Sequence, residues 1–382
     1  MKYIISALIL TGLATGVFKQ VRAIDNANFN QEYSDLTYGN CRSIEMTNMP
    51  ILDNNDRIIK AVDFSPDSQT IAIAGGDKLV HLWDLTGQEL AVIKGHTNTI
   101  EAVKFSPDGQ KLATADADKL VHLWDLTGQE LAVIKGHTNT VFFLEFSPDG
   151  QILATASLAS VSDYERMVRL WDLNGREIAA IETSIGTFKP VKFSPDGQKL
   201  ATAGGADGKV RLWDLSGQEL AVMKGHKGWV NSVVFSPDGQ KLASGDSDAM
   251  VRLWDLSGQE LAVMKGHTQW VHTLVFSPDG QKLATASSDE ILRLWDLASK
   301  EQIIMKGHTR GINTVAFSSD GQSIATGSGD GTVRLWNLTG QELAIMKGHT
   351  RPVHSLFFNS NSQSIISVSV YGRTIICDRG YF

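Results

Sequence analysis

Cysteine is nearly missing from this chain of 382 residues, which has Cys41 and Cys377 and no others. Neither has a second thiol nearby, and that excludes a thiolate metal cluster. Charge of one sign is not in large excess either. The formal net charge is −7, acids and bases are interspersed, and no basic stripe runs through the sequence. Such a chain has no field that gathers nucleic acid. Long apolar runs are lacking beyond one at the start. Tyr3 to Phe18 is short for a spanning helix, which needs about 20 residues. Lys2 before it and Val21-Arg22-Ala23 after it give the layout of a secretory leader cleaved after Ala23. Cleavage removes Lys2, Lys19 and Arg22 and no acid, moving the charge from −7 to −10. The expected location is therefore outside the cytoplasm, periplasmic or secreted. Contact with a membrane follows only if this segment is retained as an anchor.

What the sequence has in abundance is repetition. Trp83, Trp124, Trp171, Trp213, Trp254, Trp295 and Trp336 follow one another at 41, 47, 42, 41, 41 and 41 residues. Asp follows each except Trp336, which Asn337 follows, and one further step of 41 reaches Cys377-Asp378. Within a unit, short apolar and β-branched runs alternate with turn residues, the pattern of strands. Ser277-Pro278-Asp279-Gly280 shows the turn chemistry. Proline presets φ, aspartate bonds its own backbone, and glycine takes the positive-φ corner. Each unit offers four short antiparallel strands, here named a to d, with the Trp on strand c. A sheet of that size cannot bury both faces alone, whereas sheets stacked radially into a ring leave no face uncovered. The expected fold is all-β, a closed propeller of eight four-stranded blades.

Gly95-His96 with Trp124-Asp125, and Gly307-His308 with Trp336-Asn337, resemble the signatures of the WD-repeat family, the beta-transducin-like propellers. The resemblance covers roughly residues 47 to 378, and a signal repeated so often at about 40 residues is strong. It divides the chain into a leader (1–23), an extension (24–46) and the propeller (47–382). In the family the chain's two ends pair within one blade, so the last outer strand is expected from Thr47 to Asp53, which aligns with Gln88 to Lys94. Cys41 then falls in the same blade as Cys377. The two are either a disulfide clasping the ring in an oxidising compartment or unrelated thiols, with Cys377 merely filling a Trp site.

Each regular unit also holds a His, a Ser or Thr, an Asp and the Trp. The sets are His96, Thr114, Asp118 and Trp124; His226, Ser244, Asp248 and Trp254; His267, Thr285, Asp289 and Trp295; and His308, Thr326, Asp330 and Trp336. A hydrolase would show one such constellation with an oxyanion hole, not four copies that each include a Trp. The resemblance implies a buried chain of hydrogen bonds from indole through hydroxyl and imidazole to carboxylate. Asn55 and Ile73 break the set in blade one, Ser184 in blade four, and Tyr371 with Cys377 in blade eight, which keeps His349. Six extra residues around Leu158 to Arg166 leave Asp163 as the nearest acid in blade three. His81 and His122 stand where other copies have Arg, and exposed strand positions account for them without a metal. Asp53-Asn54-Asn55-Asp56 lacks the spacing of a calcium loop. No cofactor or metal is expected.

The family commonly binds peptides on the rim made by its d–a and b–c loops. There the copies differ most. Trp229 and Trp270, the two tryptophans off the grid, fall in adjacent blades, followed by Arg310 and Arg351. The position four before the strand-a Phe reads Lys60, Glu101, Phe142, Lys189, Asn231, His272, Asn313 and His354. Tryptophan and arginine dominate interface energies, so the expected function is a scaffold for protein or peptide partners. The alternatives are a propeller hydrolase and a carbohydrate-binding propeller.

Overall fold

The computed structural model describes residues 41–44, 59–157, 167–183, 190–204, 207–359, 361–369 and 374–378. They form eight four-stranded antiparallel sheets, and no helix occurs among the described residues. Blade one is typical, with strands at Ile59–Phe64, Thr70–Gly75, Val80–Asp84 and Glu89–Ile93. Strand b is buried almost end to end in every blade, as in blade seven from Ser323 to Ser328, because neighbouring blades cover both of its faces.

Stacking of blades is where the core lies. Each hydrophobic cluster draws residues from two successive blades. One joins Ala72, Val80, Leu82 and Ile93 of blade one to Ile100, Phe105, Leu112 and Trp124 of blade two. The ring shuts where Ile366, Val368 and Ile376 of blade eight meet Phe64, Ile71, Ile73 and Trp83 of blade one. Turn residues add a second seam. Gly280 has φ +70, and a Cβ there would lie 3.4 Å from Cδ of Pro237 in the preceding blade's turn. Asp279 Oδ1 accepts from Gln281 N at 3.0 Å, and Gly280 N donates to Ser277 O at 2.8 Å. The tetrapeptide is thus both a hairpin turn and an interblade contact.

The last sheet has the order first strand, then three from the C-terminal end. Its outer strand is Cys41–Ile44, paired antiparallel with Thr374–Asp378 so that Cys41 stands opposite Cys377. The expected contributor, Thr47 to Asp53, lies outside the described residues, and the edge beside Thr374–Asp378 is taken by the earlier segment. Cys377 is disulfide-bonded, and the chain's one other cysteine is Cys41. The leader region also lies outside the described residues.

Candidate functional site

Hydrogen bonds cross the sheet of each complete blade. In blade seven Trp336 Nε1 donates to Thr326 Oγ1 at 2.9 Å, that hydroxyl lies 2.8 Å from His308 Nε2, and His308 Nδ1 lies 2.9 Å from Asp330 Oδ2. Trp295, Thr285, His267 and Asp289 repeat this in blade six at 2.9, 2.8 and 3.0 Å. Burial works against ionisation of Asp289, but the His267 hydrogen bond and charge, with Arg293 nearby, bring its pKa down to about 2. The glycine before each His permits close approach. At Gly95, where φ is +148, a Cβ would sit 2.8 Å from Cη2 of Trp124. The hydroxyls are fully buried and engaged by both indole and imidazole, so none of them faces solvent. The set is a brace.

Two of the expected acids are not its members. In blade two His96 Nδ1 meets Asp116 Oδ2 at 2.7 Å, and in blade five His226 Nδ1 meets Asp246 Oδ2 at 2.7 Å. Asp118 instead accepts from Thr97 Oγ1 at 2.5 Å, and Asp248 donates its backbone N–H to Asp246 Oδ1. The reason is local. Asp116 and Asp246 end strand b, where blades six and seven have Ser287 and Ser328, and a carboxylate there reaches the imidazole first. The incomplete blades keep partial chains. Thr155 bonds His137 and Trp171 at 2.7 Å each, Thr202 bonds Trp213 at 2.8 Å, and Ser367 lies 2.8 Å from His349 Nε2. In blade one Ile73 replaces the hydroxyl, and Trp83 Nε1 is buried without a partner. Asn55, Asp163, Ser184 and Tyr371 lie outside the described residues.

The d–a and b–c loops are tied together by backbone hydrogen bonds in blades two, four, five, six and seven. Trp229 O accepts from Ser247 N at 2.9 Å, Trp270 O from Ser288 N at 3.0 Å, and Gly311 O from Gly329 N at 2.9 Å. Their backbones are held while the indoles stay open, Trp229 being 50% and Trp270 37% exposed. Arg310 and Arg351 are exposed too.

The position four before the strand-a Phe has a feature that the sequence did not signal. Lys60, Glu101, Phe142, Asn231, His272, Asn313 and His354 each sit in a β-bulge at the start of strand a, where the extra residue turns its side chain out of the ladder. Several reach the next blade. Lys60 Nζ pairs with Glu101 Oε2 at 3.4 Å, Asn231 Nδ2 donates to Val271 O at 3.3 Å, and Asn313 Nδ2 to Val353 O at 2.9 Å. His272 Nε2 instead stays within its own blade, 2.6 Å from Ser288 Oγ. Glu101 is 7% exposed and the others are half-buried. Lys189 lies outside the described residues.

His81 and His122 are not exposed, as the sequence suggested, but 4% and 6% accessible. An imidazole is shorter than the arginine of other copies, and the acid across the hairpin closes over it. His81 Nδ1 lies 2.6 Å from Glu89 Oε1 and Nε2 lies 3.0 Å from Asp77 Oδ2. His122 Nδ1 lies 2.6 Å from Glu130 Oε1.

Comparison with known proteins agrees with this architecture. A family model described as WD domain, G-beta repeat matches residues 187–214, 217–255, 258–296, 299–337 and 340–377. A second, described as Eukaryotic translation initiation factor eIF2A, matches residues 24–188. The probable serine/threonine-protein kinase PkwA of Thermomonospora curvata is 44% identical over 52 residues, which are 13% of this chain and 7% of that protein. The C-terminal WD40 domain of Sif2 superimposes with a TM-score of 0.74 at 19% identity, over 85% of this chain and 96% of that one. That likeness speaks to the fold alone. With five matched repeats and eight blades in a ring, the chain belongs to the WD-repeat β-propeller family.

Proposed function

We propose that this chain is an exported interaction platform that holds a peptide or protein partner on the rim of its d–a and b–c loops. WD-repeat propellers typically serve as protein-interaction scaffolds. One observation carries the reading: two half-open indoles, Trp229 and Trp270, stand on hydrogen-bonded loops of adjacent blades. Loops fixed beforehand lose little entropy on binding, and tryptophan and arginine supply most of the energy in such contacts. Arg310 and Arg351 in the next two blades suit an aromatic or acidic peptide. Export rests on the leader layout and on a disulfide-bonded cysteine, which persists in oxidising compartments.

Paired exposed tryptophans also suit a sugar ring, which makes a carbohydrate ligand the second reading. The test is capture from the native extracellular or periplasmic fraction by the wild-type chain and by Trp229→Ala/Trp270→Ala, with a glycan array run in parallel. Partners lost by the variant at unchanged melting temperature support the platform. Glycan binding without protein capture moves the assignment to the second reading, and a large drop in melting temperature would mean that the indoles are structural.

A further inference from the structure

Among the described residues, blade two holds a cluster that no other blade repeats. His96 and Asp116 have fully buried side chains, and His122 is 7% exposed at its side chain. One ligand atom from each lies within 4.8 Å of the others, with Asp116 Oδ2 2.7 Å from His96 Nδ1 and 4.0 Å from His122 Nε2. Their neighbours fix which nitrogens face inward. Glu130 takes the Nδ1 side of His122 at 2.6 Å, which leaves Nε2 turned toward Asp116 Oδ2, 4.0 Å away. Thr114 Oγ1 takes the Nε2 side of His96 at 2.8 Å. His122 Nε2 is buried and has no hydrogen-bond partner. A buried ring nitrogen facing a carboxylate without a hydrogen bond is satisfied when a positive charge, a ring proton or a metal ion, sits between them.

Blade six shows what fills that place elsewhere. Arg293 NH1 lies 2.7 Å from His267 Nδ1 and 3.0 Å from Asp289 Oδ2. Position 122 aligns with Arg169, Arg211, Arg252, Arg293 and Arg334. Blade one has His81 but Gly75 where Asp116 stands, and Asn55 where His96 stands. Blade two alone combines the strand-b acid, the brace histidine and a second imidazole in place of the guanidinium.

We propose that His96, Asp116 and His122 bind a divalent transition-metal ion of the zinc class within blade two. Two imidazoles and a carboxylate form a donor set suited to zinc, and the Glu130 contact is the carboxylate that orients a ligating histidine. Metal–ligand bonds of about 2.0–2.2 Å in a tetrahedral site place the donors about 3.3 Å apart. The 2.7 Å His96–Asp116 contact must open slightly and the 4.0 Å His122–Asp116 contact must close slightly. On loading, the proton between His96 Nδ1 and Asp116 moves to His96 Nε2, where it faces Thr114 Oγ1, so the ring stays neutral and binds through Nδ1, and the fourth position falls to water.

The test uses the full chain, stripped with chelator and titrated with Co²⁺ and then Zn²⁺. The expected result is one Co²⁺ per chain with the visible bands of a tetrahedral site, bleached by Zn²⁺. His122→Arg, which installs the residue five other blades carry, should abolish the bands while the fold is kept. Glu130→Gln should weaken binding by roughly 10–100-fold. Absence of saturable uptake, or uptake unchanged in His122→Arg, overturns the proposal.

Discussion

Thr326→Val isolates the energetic role of the brace, because valine keeps the shape of threonine and removes one oxygen. That oxygen is bonded by Trp336 Nε1 at 2.9 Å and by His308 Nε2 at 2.8 Å, and Thr326 is fully buried. The variant leaves two buried polar atoms without partners, at about 1–3 kcal/mol each, so the cost should be about 2–6 kcal/mol. No cavity opens, so no packing loss adds to it. With an unfolding entropy of about 2.1 cal/mol/K per residue over roughly 340 residues, that corresponds to a fall in melting temperature of about 3–8 °C. Thr326→Ser keeps the hydroxyl and gives up one methyl, about 1 kcal/mol or about 1–2 °C. Blade five carries a native serine, Ser244, in this place. Scanning calorimetry at neutral pH measures both. The ordering decides the matter, because valine is the more apolar of the two. If Thr326→Val melts at or above Thr326→Ser, the hydroxyl is a passenger in an apolar core and the brace argument fails.

Two further outcomes follow from the same structure. Burial lowers the pKa of His354 to about 4 from an ordinary 6.5. The unfolded chain therefore takes up the proton first, and this residue's contribution is whole above about pH 6.5 and drains away as the pH falls toward 4. His354→Asn, copying Asn231 and Asn313, should flatten the urea midpoint between pH 7 and 4.5 relative to wild type, and equal slopes would contradict this. Reduction of the disulfide at Cys377 should lower stability by up to about 5–6 kcal/mol in the chain-entropy model. Hydrogen exchange should then quicken first in blades eight and one, whose braces are incomplete. A uniform loss of protection around the ring would count against that order.

The fold was legible because one constraint is written many times. Every strand-c Trp must fill the same interblade space and every turn must make the same corner, so spacing alone recovers the blades. Legibility ended where copies differ by one atom's reach. Asp118 and Asp248 occupy the same place in the text as Asp289 and Asp330, but an acid two residues earlier, on the buried end of strand b, captures the histidine. The burial of His122 could not be read from an alternating strand, since it depends on Glu130 folding across the hairpin. The bulges at Glu101 or Asn231 have no sequence mark either, because an extra residue in one strand is visible only against its partner. The N-terminal strand carries no Trp and no Gly-His, so nothing in it pins a register. Alignment by the grid therefore named residues 47–53, and the sheet's edge belongs to Cys41–Ile44.

Blade eight shows how one position can serve two needs at once. Where blades three to seven place an arginine and a tryptophan on strand c, it has Ile375 and Cys377, 4% and 1% exposed. Ile375 takes up the space above the glycine: a Cβ on Gly348 would lie 2.8 Å from its Cδ1. The stacking surface against blade seven thus stays apolar without an indole, within the same cluster as Val333, Leu335 and Met346. What an indole could not supply is a hold on the neighbouring strand. In the other seven blades the outermost strand follows strand c through a short hairpin, so its arrival costs little loop entropy. In blade eight it comes from the opposite end of the chain, and that cost rises with the length of the intervening loop. A covalent bond at this register pair lowers the entropy of the unfolded chain by a similar logarithmic measure. Cysteine at 377 gives up one brace hydrogen bond, of about 1 kcal/mol, for a tie several times larger, at the one interface where the chain's connectivity provides none.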